Sequence, residues 1–205
     1  MTLALAIVLA YVCGSLPSAY LAGRLVKGVD LRTHGSGNLG ATNVYREVGA
    51  LAAITVLLTD VAKGWVAVAL VPRWLSIGDS AWMPLALGAA AIVGHAKPVF
   101  LLRRGGGKGV ATGGGVFLAL DPPAVAIAAA AFAAVAIATR YVSLGSLAAA
   151  AAMPTAIFFL RGPASPLFLA SLMISAFVIW SHRVNIRRLL RGEERRIGRP
   201  GAGSQ

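Results

Sequence analysis

The chain has 205 residues, of which 58% are hydrophobic and 13% charged, whereas a soluble domain runs roughly 45–50% apolar and about 25% charged. So few charges cannot cover a water-facing surface, which excludes a soluble globular enzyme and a disordered chain and leaves a single polytopic membrane bundle. Lys and Arg number 19 against 7 Asp and Glu, a formal net charge of +12. Cations set between apolar runs fix topology, contact anionic lipid or bind an anionic substrate, and a nucleic-acid partner is not expected.

Residues 1–23 carry no charge and are long enough to span a membrane. No basic segment precedes them, and Gly14-Ser15-Leu16-Pro17-Ser18 interrupts their second half, so they do not read as a cleaved signal peptide. Cys13 stands alone within this run, which excludes an intrachain disulfide and a thiolate metal cluster. The next apolar stretch lies between Glu47 and Arg73, broken by Asp60 and Lys63. Charge-free runs follow at 80–96, 122–139, 141–160 and 162–181, with a shorter one at 109–120 containing Gly113-Gly114-Gly115. Twelve helical residues rise only about 18 Å against a hydrocarbon core of roughly 30 Å, so the short run alone decides the parity of crossings.

Charge asymmetry decides it. With seven spans, one of them short, every basic residue except Lys63, Arg73 and Arg161 falls on one side. The basic loops and the tail, with Arg183, Arg187, Arg188, Arg191, Arg195, Arg196 and Arg199, are then cytoplasmic and the N-terminus is outside. Omitting the short span spoils that asymmetry. The expected fold is therefore an all-α, seven-span bundle forming one domain over residues 1–205. Its 24 Gly let helices approach closely, and residues 199–205 read as a flexible tail.

Three polar clusters fall on the expected cytoplasmic side. The first runs Thr33-His34-Gly35-Ser36-Gly37-Asn38-Leu39-Gly40-Ala41-Thr42-Asn43-Val44-Tyr45-Arg46. It is either an ordinary turn-rich loop or one whose N–H groups and hydroxyls meet an oxyanion clamped by Arg46. The second is Arg103-Arg104-Gly105-Gly106-Gly107-Lys108-Gly109-Val110-Ala111-Thr112. Glycines beside a lysine suggest a phosphate cradle, although Gly109 follows Lys108 where a Walker A loop needs Ser or Thr. A basic loop touching lipid headgroups is the alternative. The third, Ser181-His182-Arg183-Val184-Asn185-Ile186-Arg187-Arg188, is followed by Glu193 and Glu194. His182 and Asn185 share a face if the helix continues through them.

Asp60 and Lys63 lie one helical turn apart, where mutual pairing explains both. Ser143 opens a span beside Arg140, and Ser15, Pro17, Ser18 and Tyr20 read as packing or channel residues. His34 and His95 are too dispersed for a metal site. No metal or cofactor is expected. A site rich in cations and N–H donors and poor in carboxylates suits an anionic substrate or a developing oxyanion.

The sequence closely resembles the bacterial acyl-phosphate-dependent glycerol-3-phosphate acyltransferases, which are integral-membrane enzymes. The match rests on Gly14-Ser15-Leu16-Pro17-Ser18-Ala19-Tyr20, on residues 35–43 with Arg46, on residues 95–112, and on Ser181-His182-Arg183-x-Asn185-Ile186 with Arg188-Leu189-Leu190. Asp60-x-x-Lys63-Gly64 and Ser143-Leu144 also fit. The resemblance implies transfer of a fatty acyl group from acyl phosphate to the 1-hydroxyl of sn-glycerol 3-phosphate, giving 1-acyl-sn-glycerol 3-phosphate and phosphate in phospholipid synthesis. It implies catalytic roles for Ser36, Arg46, Lys108, His182 and Asn185. Gly37, Asn38, Thr42, Asn43, Gly105, Gly106, Gly107, Gly109, Thr112, Ser143 and Arg183 would hold substrate and phosphate. The implied setting is the bacterial plasma (inner) membrane with a cytoplasmic active site. The expected assembly is a monomer among membrane lipids, functionally coupled to the enzyme that makes acyl phosphate. A transporter for phosphate or phosphorylated solutes is the rival reading, and it predicts polar residues reaching the far side. A structural lipid-binding protein would leave the dense Gly-Ser-Asn pattern unused.

Overall fold

The computed structural model describes residues 2–77 and 80–198, and these contain helices and no strand. The positions expected to form a flexible tail, 199–205, lie outside the described residues, as does Asp79. The chain forms two compact units, Met1–Pro122 and Pro123–Gln205.

The first unit opens with α1 (Thr2–Gly14) and α2 (Ser18–Lys27), followed by α3 (Ala41–Glu47), α4 (Ala50–Ala69) and α5 (Val71–Trp74). Next come α6 (Met83–Ala96), a 3-10 turn (Val99–Leu101) and α7 (Val110–Leu120). The interruption expected at Ser15-Leu16-Pro17 is a true helix break. Pro17 has no N–H for the ladder, and Ser15 Oγ donates to the Tyr11 carbonyl at 2.8 Å. A break inside an apolar environment leaves carbonyls that need donors. The buried Lys63 ammonium supplies one, 3.2 Å from the Leu16 oxygen.

Helix α4 is the central member, and glycines set how closely its neighbours approach. A Cβ on Gly64 would strike the Thr112 carbonyl of α7, and one on Gly115 would strike the Val61 carbonyl of α4. Gly14 and Gly94 stand in the same relation to the Ala91 and Tyr11 carbonyls, fixing α1 against α6. Backbone contact through small residues is the packing a bundle uses where lipid tails are as apolar as the helix faces. Ala6, Ala10, Ala67, Val71, Leu87 and Ala91 fill one core beside these crossings. Leu31, Leu39, Val44 and Val56 fill a second beneath the polar loops.

The second unit contains α8 (Pro122–Thr139), α9 (Val142–Arg161), α10 (Pro166–Ser181) and α11 (Arg183–Leu190). Gly145 lets α9 approach Phe132 and Ala136 of α8, and Phe158 of α9 meets Phe168 of α10 with ring centroids 5.7 Å apart. The run expected from residue 162 starts later, at Pro166, because Ser165 caps it by accepting from the Leu167 N–H at 3.2 Å.

Five segments are long and apolar enough to cross a membrane: Thr2–Lys27, Ala50–Ala69, Met83–Leu101, Pro122–Thr139 and Val142–Arg161. The pair Pro166–Ser181 and Arg183–Leu190, bent by 58°, makes a sixth if it is counted as one span. Helix α7 has 11 residues and rises only about 16 Å. Seven crossings require both α7 and the bent pair to span.

Candidate active site

In the first unit the first two polar clusters come together. The loop between α2 and α3 starts at Asp30, whose carboxylate pairs with the Arg32 guanidinium at 2.6 Å and lies 3.5 Å from Arg24. The Arg32 hydrogen bond pulls the Asp30 pKa down to about 2, and the same bond raises that of Arg32. Both guanidinium groups also lie over the Tyr20 ring, with Arg32 at 5.1 Å from the centroid and Arg24 at 5.5 Å.

Asn43 pins this loop from below. It is 1% exposed, and its Oδ1 accepts from the Ser36 N–H at 2.9 Å. Its Nδ2 donates to the carbonyls of His34 at 3.1 Å and Leu31 at 3.4 Å. This amide, expected to hold substrate, shapes the loop that carries Ser36. Gly35 and Gly37 turn the chain at φ 63° and 71°. At Gly35 a Cβ would also collide with Asn43 Oδ1 and Glu47 Oε1, so that position requires glycine on two counts. The Ser36 hydroxyl sits within 3.4 Å of the Asn38 N–H, a long hydrogen bond. Thr42 and Arg46 follow on α3.

The second loop docks on the first. The Leu39 N–H donates to the Gly106 carbonyl at 3.2 Å, and Gly105 lies against the aliphatic part of Arg32. From below, the Gly107 N–H donates to the His95 carbonyl at 3.1 Å. Gly109, at φ 83°, is the N-cap of α7. Lys108 is thereby held between two anchored glycines at a helix N-terminus, where N–H groups and the helix dipole favour an anion. Thr112, in the first turns of α7, is fully buried, and its Oγ1 has no hydrogen-bond partner among the described residues.

A narrow cleft opens beside Gly106, lined by Leu16, Pro17, Ser18, Leu39, Lys63, His95 and Pro98 among others. The Asp60–Lys63 pairing read from the sequence is present at 2.8 Å, with both side chains buried. The pair is part of a larger cluster that sequence reasoning missed. Ser18 Oγ donates to Asp60 Oδ1 at 2.7 Å, and His95 Nδ1 lies 3.8 Å from the same oxygen. The available signal was the rarity of ionisable residues in an apolar chain, but nothing local links positions 18, 60 and 95.

In the second unit the third cluster is organised around Glu194. Its Oε1 accepts from both Ser143 Oγ and Asn185 Nδ2, each at 2.7 Å. The sequence marks Glu194 only as an acid after an arginine run. Helix α10 ends at Ser181 instead of continuing through His182, and α11 departs at 58°. His182 is 3% exposed, with Nδ1 2.8 Å from the Val178 carbonyl. A carbonyl only accepts, so Nδ1 carries the proton and a neutral ring has its acceptor at Nε2. Arg183 lies over the Trp180 ring at 4.4 Å and donates to the Trp180 carbonyl at 3.2 Å.

Residues 4–192 match the family model described as "Glycerol-3-phosphate acyltransferase". A glycerol-3-phosphate acyltransferase of Gloeobacter violaceus is 47% identical over 94% of this chain and 93% of its own. One of Prochlorococcus marinus is 45% identical over 93% and 96%. The crystal structure of PlsY (YgiH), an integral membrane glycerol 3-phosphate acyltransferase in its glycerol 3-phosphate form, superposes with a TM-score of 0.85 at 36% identity. That match covers 97% of this chain and 96% of the other, and the lysophosphatidic acid form gives the same values. With its apolar helices, this makes the protein a multi-pass membrane protein of the acyltransferase class that serves phospholipid synthesis. The chain belongs to the glycerol-3-phosphate acyltransferase family.

Proposed function

We propose that this protein transfers a fatty acyl group from acyl phosphate to the 1-hydroxyl of sn-glycerol 3-phosphate, releasing 1-acyl-sn-glycerol 3-phosphate and phosphate. The observation that supports this reading is the docking of two glycine loops through Leu39 and Gly106, the first carrying Ser36 and leading into the helix of Arg46, the second carrying Lys108. Both substrates carry phosphate, so their approach must overcome like-charge repulsion. Arg46 and Lys108 offset it, Arg46 with a planar fork and Lys108 with a point charge. Ser36, the Asn38 side-chain amide and the Thr112 hydroxyl donate to phosphate or to the oxygen of the tetrahedral intermediate, and Gly37 turns the loop so that they can. Gly105, Gly106, Gly107 and Gly109 let the backbone close on a phosphate, while Thr42 and Asn43 hold the loop that presents Ser36.

The hydroxyl oxygen attacks the acyl carbon, the bond from that carbon to the phosphate oxygen breaks, and the hydroxyl proton is lost. Acyl phosphate is already activated, so Ser36 serves as an orienting donor and transfer is direct, without an acyl-enzyme. Asp30 is paired with Arg32 and Asp60 with Lys63. The candidates for proton acceptor are a substrate phosphate oxygen and His182. Ser143, Asn185 and Arg183 of the second unit are assigned to substrate by the same proposal. The active site faces the cytoplasm of a bacterial plasma membrane, the chain crosses seven times with its N-terminus outside, and a monomer suffices. Functional coupling to the enzyme that supplies acyl phosphate follows from that donor.

The test uses protein purified in detergent with acyl phosphate and glycerol 3-phosphate, following lysophosphatidate and phosphate together. Equal release of both products is expected, with no product when acyl-CoA replaces acyl phosphate. Transfer from acyl-CoA alone overturns the donor assignment. A trapped acyl adduct on Ser36 overturns direct transfer.

A further inference from the structure

We propose that His95, braced by the Asp60–Lys63 ion pair, is a positioning residue that fixes the second glycine loop and thereby where Lys108 meets a substrate phosphate. The inference rests on the phosphate role proposed for Lys108. Three buried ionisable groups converge below this loop, with Asp60 2% exposed, Lys63 5% and His95 6%. Burying such groups in an apolar bundle is costly even when they are paired, and helix packing alone does not require them.

Their geometry connects them to the loop. The His95 carbonyl accepts from the Gly107 N–H at 3.1 Å. A Cβ on Gly107 would collide with the His95 imidazole, and one on Gly106 with the Ala96 carbonyl. The loop thus rests directly on the end of α6 and on the imidazole. On its other side the imidazole faces Asp60 Oδ1 at 3.8 Å. Asp60 is itself held by Ser18 at 2.7 Å and by Lys63 at 2.8 Å, and Lys63 is tied to the broken end of α1 through the Leu16 carbonyl. Helix α4 also fixes the far side of Lys108, because Gly64 adjoins Lys63 and abuts the Thr112 carbonyl. Lys108 is therefore bracketed by two points referred to the same helix. A displacement of about 1 Å at such a group is enough to cost on the order of 100-fold in rate.

The experiment is a double-mutant cycle in the full-length purified protein. Gly107→Ala pushes a methyl group into the imidazole, and His95→Ala removes the ring while Asp60 keeps Ser18 and Lys63. With Lys108 taken to hold the phosphate of glycerol 3-phosphate, Gly107→Ala is expected to raise the KM for that substrate by about tenfold or more and to leave the KM for acyl phosphate within about twofold. Adding His95→Ala should lower the raised KM by at least about threefold, a coupling that independent lesions do not show. Multiplicative effects, or equal changes in both KM values, overturn the proposal. If His95→Ala loses its thermal unfolding transition, His95→Asn takes its place in the cycle. Calorimetric binding of glycerol 3-phosphate reads the same cycle without turnover. A wild type that binds but does not transfer ends the acyl-transfer reading and leaves the cycle decisive for this one. A wild type that binds no glycerol 3-phosphate overturns both.

Discussion

Asp30 and Asp60 each face cations, so neither opposes a phosphate with an uncompensated charge. That places the weight of substrate binding on Arg46 and Lys108. Replacing either with Ala should lower kcat/KM about 100-fold or more, the scale seen when a charged group is removed from a preorganised site. The unfolding temperature in detergent should stay close to that of the wild type. Substantial retained activity in either variant contradicts the clamp. Asp30 gives a pH prediction of known sign. Its folded pKa, lowered from 3.8 to about 2 by Arg32, means that its ion pair contributes fully above the unfolded value and is lost as pH falls through about 2. Thermal unfolding followed from pH 8 to 5 should therefore show the same pH dependence in the wild type and in Asp30→Asn. A difference that develops within that window contradicts the assignment. The two glycine loops that dock on each other were readable as polar clusters because Gly, Ser, Asn and Arg stand out in an apolar chain. Which way they face was not. Asn43 turns inward to hold Ser36, and Glu194 clasps Ser143 from 51 positions away, a relation that no local pattern encodes.

At the scale of elements, the apolar runs placed the long helices and α7 but not the short polar helices α3 and α11, and the helix break at Ser15-Leu16-Pro17 falls where a polar stretch and a proline interrupt the first run. The start of α10 at Pro166 is set by a serine cap, which charge-free length cannot detect, whereas its end at Ser181 coincides with the end of the charge-free run. The close crossing of α4 and α7 makes a further prediction. Gly64→Ala places a methyl group against the Thr112 carbonyl, and overpacking of this kind costs about 1–3 kcal/mol. The unfolding temperature should fall, and activity should fall with it because α7 begins at the lysine loop. An unchanged unfolding temperature means that the crossing is looser than the contact requires.

For the whole molecule, the charge pattern of the sequence supports seven crossings, and helix length alone supports fewer, since α7 is too short to reach across an undistorted core. Cysteines placed singly in the loops, in a variant with Cys13 replaced by Ala, separate the two counts. Probes after α2, after α6 and after α11 should all be protected from a membrane-impermeant thiol reagent in intact cells, and probes near Arg73 and Arg161 should be labelled. Protection of the loop at Arg161 together with labelling after α11 would mean that α7 does not cross. The most direct test of the account is to supply purified protein with acyl phosphate and glycerol 3-phosphate and to measure both products. The account predicts lysophosphatidate and inorganic phosphate in equal amounts, each dependent on glycerol 3-phosphate. Release of phosphate without lysophosphatidate, or no release of either by folded protein, would contradict it.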